Sequence, residues 1–170
     1  MYQTHLIPGS LQTETYARAV FMSNCCPTLD DKEVERQVAI RVARGQLFAR
    51  TPTPSVSYVL EESTLTRPLG GRNTLKEQLH HILAIARLRH VKVQVMPHDR
   101  ETHAGLNGNM ILLETAERRQ LAYVEGHRGG YFVSEQPDLA DLFGKYGTLR
   151  AQALSLEASA MLIEEVAGKL

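Results

Sequence analysis

Ser55-Val56-Ser57-Tyr58-Val59-Leu60, then Thr74-Leu75-Lys76-Glu77-Gln78-Leu79-His80-His81-Ile82-Leu83-Ala84-Ile85-Ala86, then Val91-Lys92-Val93-Gln94-Val95-Met96 is the reading on which the fold turns. The two outer segments alternate. Val56, Tyr58 and Leu60 share one side of the first, and Val91, Val93 and Val95 share one side of the last. The middle segment places Leu75, Leu79, Ile82, Leu83 and Ala86 at helical spacing. Thr74 and Glu77 stand at the separation of a capping box, and the helix is expected to end near Arg89-His90. A strand, a helix and a second strand in this order predict two parallel strands joined by a right-handed crossover.

Outward from that unit, the upstream residues read as two helices. Pro8-Gly9 is a turn signal, and Ser10 is placed to cap a helix over Leu11–Met22. Thr28 is placed to cap a second helix running to about Ala49, with Asp30 and Asp31 at its start and Val34, Val38 and Val42 on one face, widened by Ile40, Ala43 and Leu47. Thr51-Pro52-Thr53-Pro54 ends it as an extended connector. Met1–Ser10 reads as a loop, and Glu61–Leu65 as a short helical turn. Downstream, Gly108–Glu114, Leu121–Glu125 and Tyr131–Ser134 read as an antiparallel meander, the last two joined through Gly126-His127-Arg128-Gly129-Gly130. A helix follows over Pro137–Gly147, and another from the Ser155 cap carries Leu156, Ala160, Ile163 and Ala167. The expected class is α/β (α+β): a mixed five-stranded sheet packed by about five helices. We expect one domain over residues 1–170, with a helical pair at 11–49 and the sheet with its helices at 55–170.

The chain has 170 residues, enough to bury a core without staples. Lys and Arg number 19, Asp and Glu number 19, and Trp is absent, so neither a bulk basic excess nor an aromatic platform favours nucleic acid. No apolar run approaches the roughly 18 residues of a membrane span, and no apolar signal core opens the chain. Adjacent Cys25 and Cys26 are poorly placed to pair with each other and read as reduced thiols, which points to the cytoplasm.

The opening Pro8-Gly9-Ser10-Leu11-Gln12-Thr13, followed by Tyr16-Ala17-Arg18-Ala19, resembles the start of a known family. Further matches follow in order: Arg36-Gln37, Val59-Leu60-Glu61-Glu62-Ser63-Thr64-Leu65-Thr66-Arg67-Pro68-Leu69-Gly70, Gln78-Leu79 and Val93-Gln94-Val95-Met96-Pro97. They continue with His103-Ala104-Gly105-Leu106-Asn107-Gly108, Tyr123-Val124-Glu125-Gly126 and Leu149-Arg150-Ala151-Gln152-Ala153-Leu154-Ser155. Together they resemble the uncharacterised C-terminal domain of WhiJ-like, Cro/C1-type helix-turn-helix regulators of high-GC bacteria. Ser10 departs from the pattern, which usually has Leu there. In that family a DNA-binding head precedes the motif. Only seven residues precede Pro8 here, so the head is expected to be absent. The resemblance implies a regulatory domain that receives a small ligand or a small protein encoded nearby, in an arrangement similar to a toxin–antitoxin pair. It implies no catalytic residues.

The candidate binding residues are Glu62, Arg67, His103, Glu125 and Arg128. Glu61-Glu62 closes a parallel strand, where open α/β sheets place ligands, and Arg67 follows in a loop. Glu62 and Arg67 either grip a polar ligand or form a salt bridge that fixes the loop. His103 is the best single histidine for a polar site, or else anchors its loop to backbone. Glu125, His127 and Arg128 lie beside glycines that either admit a partner to the backbone or only permit the turn. His98, His103 and His127 do not have the spacing of a zinc set, and no metal or cofactor is expected. Lys32, Arg36, Arg41, Arg44 and Arg50 make the second helix basic, which reads as a solvated face because Asp31, Glu33 and Glu35 intervene.

The expected function is therefore a signal- or partner-binding effector domain, not an enzyme. It would reach DNA only through a separate head, and would be free to self-associate as a dimer through its long helices. The alternative is a small hydrolase or nuclease-like enzyme using Glu62, His103 and Glu125, which requires the three to reach one substrate atom.

Overall fold

A computed structural model describes residues 1–23, 28–126 and 129–170. In chain order the elements are β1 (Tyr2–Gln3), α1 (Glu14–Met22), α2 (Asp31–Ala43), β2 (Val56–Glu61), α3 (Ser63–Thr66) and α4 (Arg72–Ala86). β3 (Val91–Met96), β4 (Met110–Glu114), β5 (Gln120–Gly126), β6 (Gly129–Val133), α5 (Asp138–Gln152) and α6 (Leu156–Gly168) follow. Short 3₁₀ turns occupy Gly9–Leu11 and Arg44–Ala49. Cys25, Cys26, His127 and Arg128 lie outside the described residues.

The sheet order is β3-β2-β1-β4-β5-β6. β2 and β3 pair in parallel from Val56↔Val91 to Glu61↔Met96, as the β–α–β reading predicts. β4, β5 and β6 form the antiparallel meander. The expectation of five strands is corrected to six. β1 lies between the two halves, parallel to β2 and antiparallel to β4. Two residues carry no periodicity, so Tyr2-Gln3 reads as loop until the sheet supplies partners on both sides. The Met1 nitrogen donates to the Ser57 carbonyl at 2.8 Å and the Val59 N–H donates to Met1 O at 2.9 Å.

Alternation then divides the core. Tyr58, Leu60, Val91, Val93 and Val95 face a cluster with Tyr16 and Val20 of α1, Leu75, Leu79 and Ile82 of α4, and Ile163 and Ala167 of α6. On the opposite face Tyr2, Val59, Met96 and Met110 pack with Leu149 of α5. α2 is peripheral. It buries only Val34 and Val38, against Phe21, while Ile40 and Val42 stay exposed, so the broad apolar face expected for it is reduced to one stripe.

Three helix starts differ from expectation, each for a local reason. α1 begins at Glu14, capped by the Thr13 side chain, because Gln12 and Thr13 are extended. The buried Gln78 amide holds that segment open, donating to Leu11 O at 2.6 Å and accepting from Thr13 N–H at 2.7 Å. α2 takes Asp30 rather than Thr28 as its cap. α4 begins two residues before Thr74, at Arg72. Gly70 and Gly71, at φ +76° and +96°, turn the chain early, and the Thr74 hydroxyl donates back to Gly70 O.

The opening motif is thus a polar clamp on an apolar core. The Gln12 amide donates to Ile7 O at 2.7 Å, and the Ser10 hydroxyl pairs with the Tyr58 hydroxyl at 2.8 Å, where a leucine would have left that phenol without this partner. Gln78→Ala leaves the buried Leu11 carbonyl and the part-buried Thr13 N–H without these partners. It is expected to lower unfolding free energy by about 2–3 kcal/mol in urea denaturation, and the near-isosteric Gln78→Met by a similar amount. A loss well below 1 kcal/mol in both would show that the clamp carries no load.

Candidate functional site

The C-terminal end of β2 carries the first polar cluster. Glu61 shares the α5 side of the sheet with Val59 and Tyr2, by strand alternation and the Tyr2↔Val59 register. The buried Tyr2 hydroxyl donates to Glu61 Oε1. His103 Nε2 lies 3.5 Å from the same oxygen, and the His103 ring stands edge-on to Tyr2 at 6.2 Å. The Gly105 N–H donates to His103 Nδ1 at 3.2 Å, which assigns the ring proton of neutral His103 to Nε2, facing the carboxylate. Burial and the Glu61 contact push the Tyr2 phenol far above its ordinary range, so it acts as a fixed donor. A cavity of about 280 Å³ borders these groups, with Thr4, His5 and Ser63 on its rim.

Glu62 is turned to a different task. Its Oε2 accepts the His98 N–H at 2.9 Å, and its own N–H donates to Met96 O at 3.0 Å, which ties the ends of β2 and β3 together. Arg67 is exposed; burial raises the Tyr16 phenol above its ordinary value, and the Ile7 backbone and then the Arg67 charge oppose that rise. His103 is the candidate that belongs to a cluster, with Glu61 rather than Glu62 as its carboxylate. Alternation would have distinguished the two, because Glu61 continues the Ser57–Val59 side of β2.

Glu125 lies on the other face. Register puts it with Tyr123 and Phe132, and it borders a groove of about 480 Å³ with Gln3, Gln12, Arg41, Arg44 and Arg50. Arg41 packs over the Phe21 ring at 4.7 Å and donates to Gln12 Oε1 at 3.2 Å. Burial, then the Arg44 charge, pull the Arg41 pKa down, and Glu125 opposes them. The basic residues of α2 therefore separate. Arg36 pairs with Glu33 on the surface, whereas Arg41, Arg44 and Arg50 converge on the groove. That convergence was illegible because Arg50 arrives through a 3₁₀ turn, not through helical periodicity.

The sheet has unequal edges. β3 is covered at Val95: Leu154 N–H donates to Val95 O, the Ser159 hydroxyl accepts from Val95 N–H, and the Gln94 amide holds Arg150 O and Leu154 O. At β6 no such covering is made among the described residues, and Tyr131 and Phe132 are 63% and 71% exposed. Leu113, at 53%, extends this apolar surface on the face that Phe132 shares with Ile111 and Tyr123. Gly130 admits a neighbour to its backbone, as one reading of this loop expected, but the neighbour is the Tyr123 ring of the same chain.

Among the described residues no group of three or more His, Cys, Asp and Glu is arranged to hold a metal ion, and no helix is long and apolar enough to cross a membrane. A family described as a domain of unknown function (DUF5753) matches residues 1–165. No curated protein and no solved structure matches the chain.

Gly105 underlies the Tyr2–Glu61–His103 cluster, since a Cβ there would overlap the Tyr2 ring. Gly105→Ala is expected to cost about 1–3 kcal/mol by overpacking. Gly144→Ala, in α5 with open space at its Cβ, is expected to stabilise by about 0.5–1 kcal/mol. Paired thermal melts check both signs, and equal shifts would contradict the close approach at Tyr2.

Proposed function

We propose that this chain, which belongs to the DUF5753 family, is a partner-receiving effector domain that docks a small protein on the β6 edge and the apolar face beside it. The observation that carries the reading is the asymmetry of the sheet. One edge is covered at Val95 by a backbone bond and the Ser159 side chain, with Gln94 holding the covering segment, while the other presents Tyr131, Phe132 and Leu113 to solvent. An open apolar edge is an aggregation hazard unless something covers it, and adding a strand is a common way for a polypeptide to bind there. The resemblance to the C-terminal domain of WhiJ-like helix-turn-helix regulators supplies the rest of the proposal. Partner binding would then be relayed to a DNA-binding head as a shift in population.

The enzymatic alternative draws less support. Glu62 is engaged by His98 N–H, His103 stands with Tyr2 on the α5 side, and Glu125 occupies the opposite face of the sheet. Acid–base partners must reach one substrate atom, which these placements oppose.

A photo-crosslinking residue at position 132, introduced in the cells that encode the chain, is expected to yield a discrete adduct with a small polypeptide. The same residue at Met161, which is 70% exposed on α6, is expected to yield none. Leu113→Glu should abolish the adduct while leaving the melting temperature nearly unchanged. Identical patterns at both positions would sink the proposal, and an adduct of twice the chain mass would reassign the face to a second copy.

A further inference from the structure

Arg41 and Arg44 crowd one turn, and neither makes an ion pair among the described residues. A Cβ on Gly9 would stand 2.8 Å from Arg41 Cδ and 3.2 Å from Arg44 Nη1, so both side chains lie against the Pro8–Gly9 backbone. Neither Arg44 nor Arg50 has a side-chain hydrogen bond or ion pair among the described residues, and Arg41 has only the neutral Gln12 and the Phe21 ring. The other cations nearby are satisfied: Arg18 by Glu14 and Glu35, Arg36 by Glu33. Three guanidinium groups thus share a groove with one carboxylate, Glu125, an excess of two positive charges.

Two guanidinium groups held side by side repel each other unless an anion lies between them. Each is a planar fork of donors suited to oxyanions, and a phosphate monoester carries about −1.5 to −2 at neutral pH, which matches the local excess. The groove, at about 480 Å³, has the size of a small-molecule site. Its three arginines line one groove together with Glu125, and the chain has no net charge, which disfavours a long polyanion. Gln12 fixes the geometry in advance, because its amide holds Ile7 O while its oxygen holds Arg41.

We propose that this groove binds a phosphate-bearing small molecule, with the phosphate between Arg41 and Arg44 beside the Pro8–Gly9 turn and Arg50 completing its neutralisation. The turn would then serve two ends at once, as Gly9 leaves room for the Arg41 stem and Gln12 aims its head. The site stands apart from the β6 edge, and its test needs no protein partner.

Inorganic pyrophosphate titrated into the full chain at low salt, followed by calorimetry, is expected to show saturable one-to-one binding. Arg44→Gln and Arg50→Gln, both at exposed positions, should each weaken it about ten-fold or more, while Arg100→Gln, far along the chain in a polar loop, should leave it unchanged. Absence of saturable binding at millimolar pyrophosphate, or equal binding by all three variants, overturns the site. Tighter binding of citrate with the same arginine dependence overturns the assignment to phosphate. Tighter binding of a short DNA duplex overturns the small-molecule assignment. Crosslinking at position 132 can fail or succeed without changing any of these results.

Discussion

Tyr2 and Gln3 enter the middle of the sheet, and the rest of the architecture depends on that insertion. Without them the parallel pair β2–β3 and the meander β4–β6 have no common hydrogen-bonding partner. The insertion is stabilised on both faces. Tyr2 packs with Val59, Met110 and Leu149 on one side, while Gln3 borders the arginine groove on the other. A short strand placed centrally costs little chain entropy relative to the ladder bonds and burial it gains.

Because β1 runs through the centre, the residues that follow it are forced across the α4 face. That path explains the concentration of polar contacts between Thr4 and Thr13. Thr4 is held by Asn109, Ile7 O by Gln12, Ser10 by Tyr58, and Leu11 and Thr13 by Gln78. An irregular segment on a core must have its backbone groups satisfied by side chains, since neither helix nor sheet does so. The same path brings Gln12 to Arg41 and Gly9 to Arg44, so the clamp that secures the fold also shapes the groove.

The two polar sites differ in character. Around Tyr2, Glu61 and His103 each donor faces an acceptor of the same cluster, so those side chains are largely committed to one another. In the groove the donors outnumber the acceptors, which leaves hydrogen-bonding capacity for something else. The β6 edge is different again, with apolar side chains rather than polar groups lacking cover. Self-satisfied clusters hold a fold together, whereas unmatched ones are where binding gains free energy.

Strong periodicity was readable from the chain alone. The alternation in Ser55–Leu60 and Val91–Met96, the stripe of Leu75, Leu79 and Ile82, and the Ser155 cap all recur in the folded molecule, because each depends on neighbours within one element. Legibility failed where the deciding contact is distant in sequence. β1 is a strand only because β2 and β4 flank it. α1 starts late because Gln78 holds Leu11 and Thr13. Of the pair Glu61-Glu62, sheet register sends one to Tyr2 and His103 and the other to His98. The arginines from positions 41 to 50 looked like a solvated face, and meet across a groove only once the N-terminal segment folds over them. Local pattern settles which segments become helix or strand, since burying one face is a property of the segment. Which polar groups converge depends on how distant segments cross, and no short-range spacing encodes that.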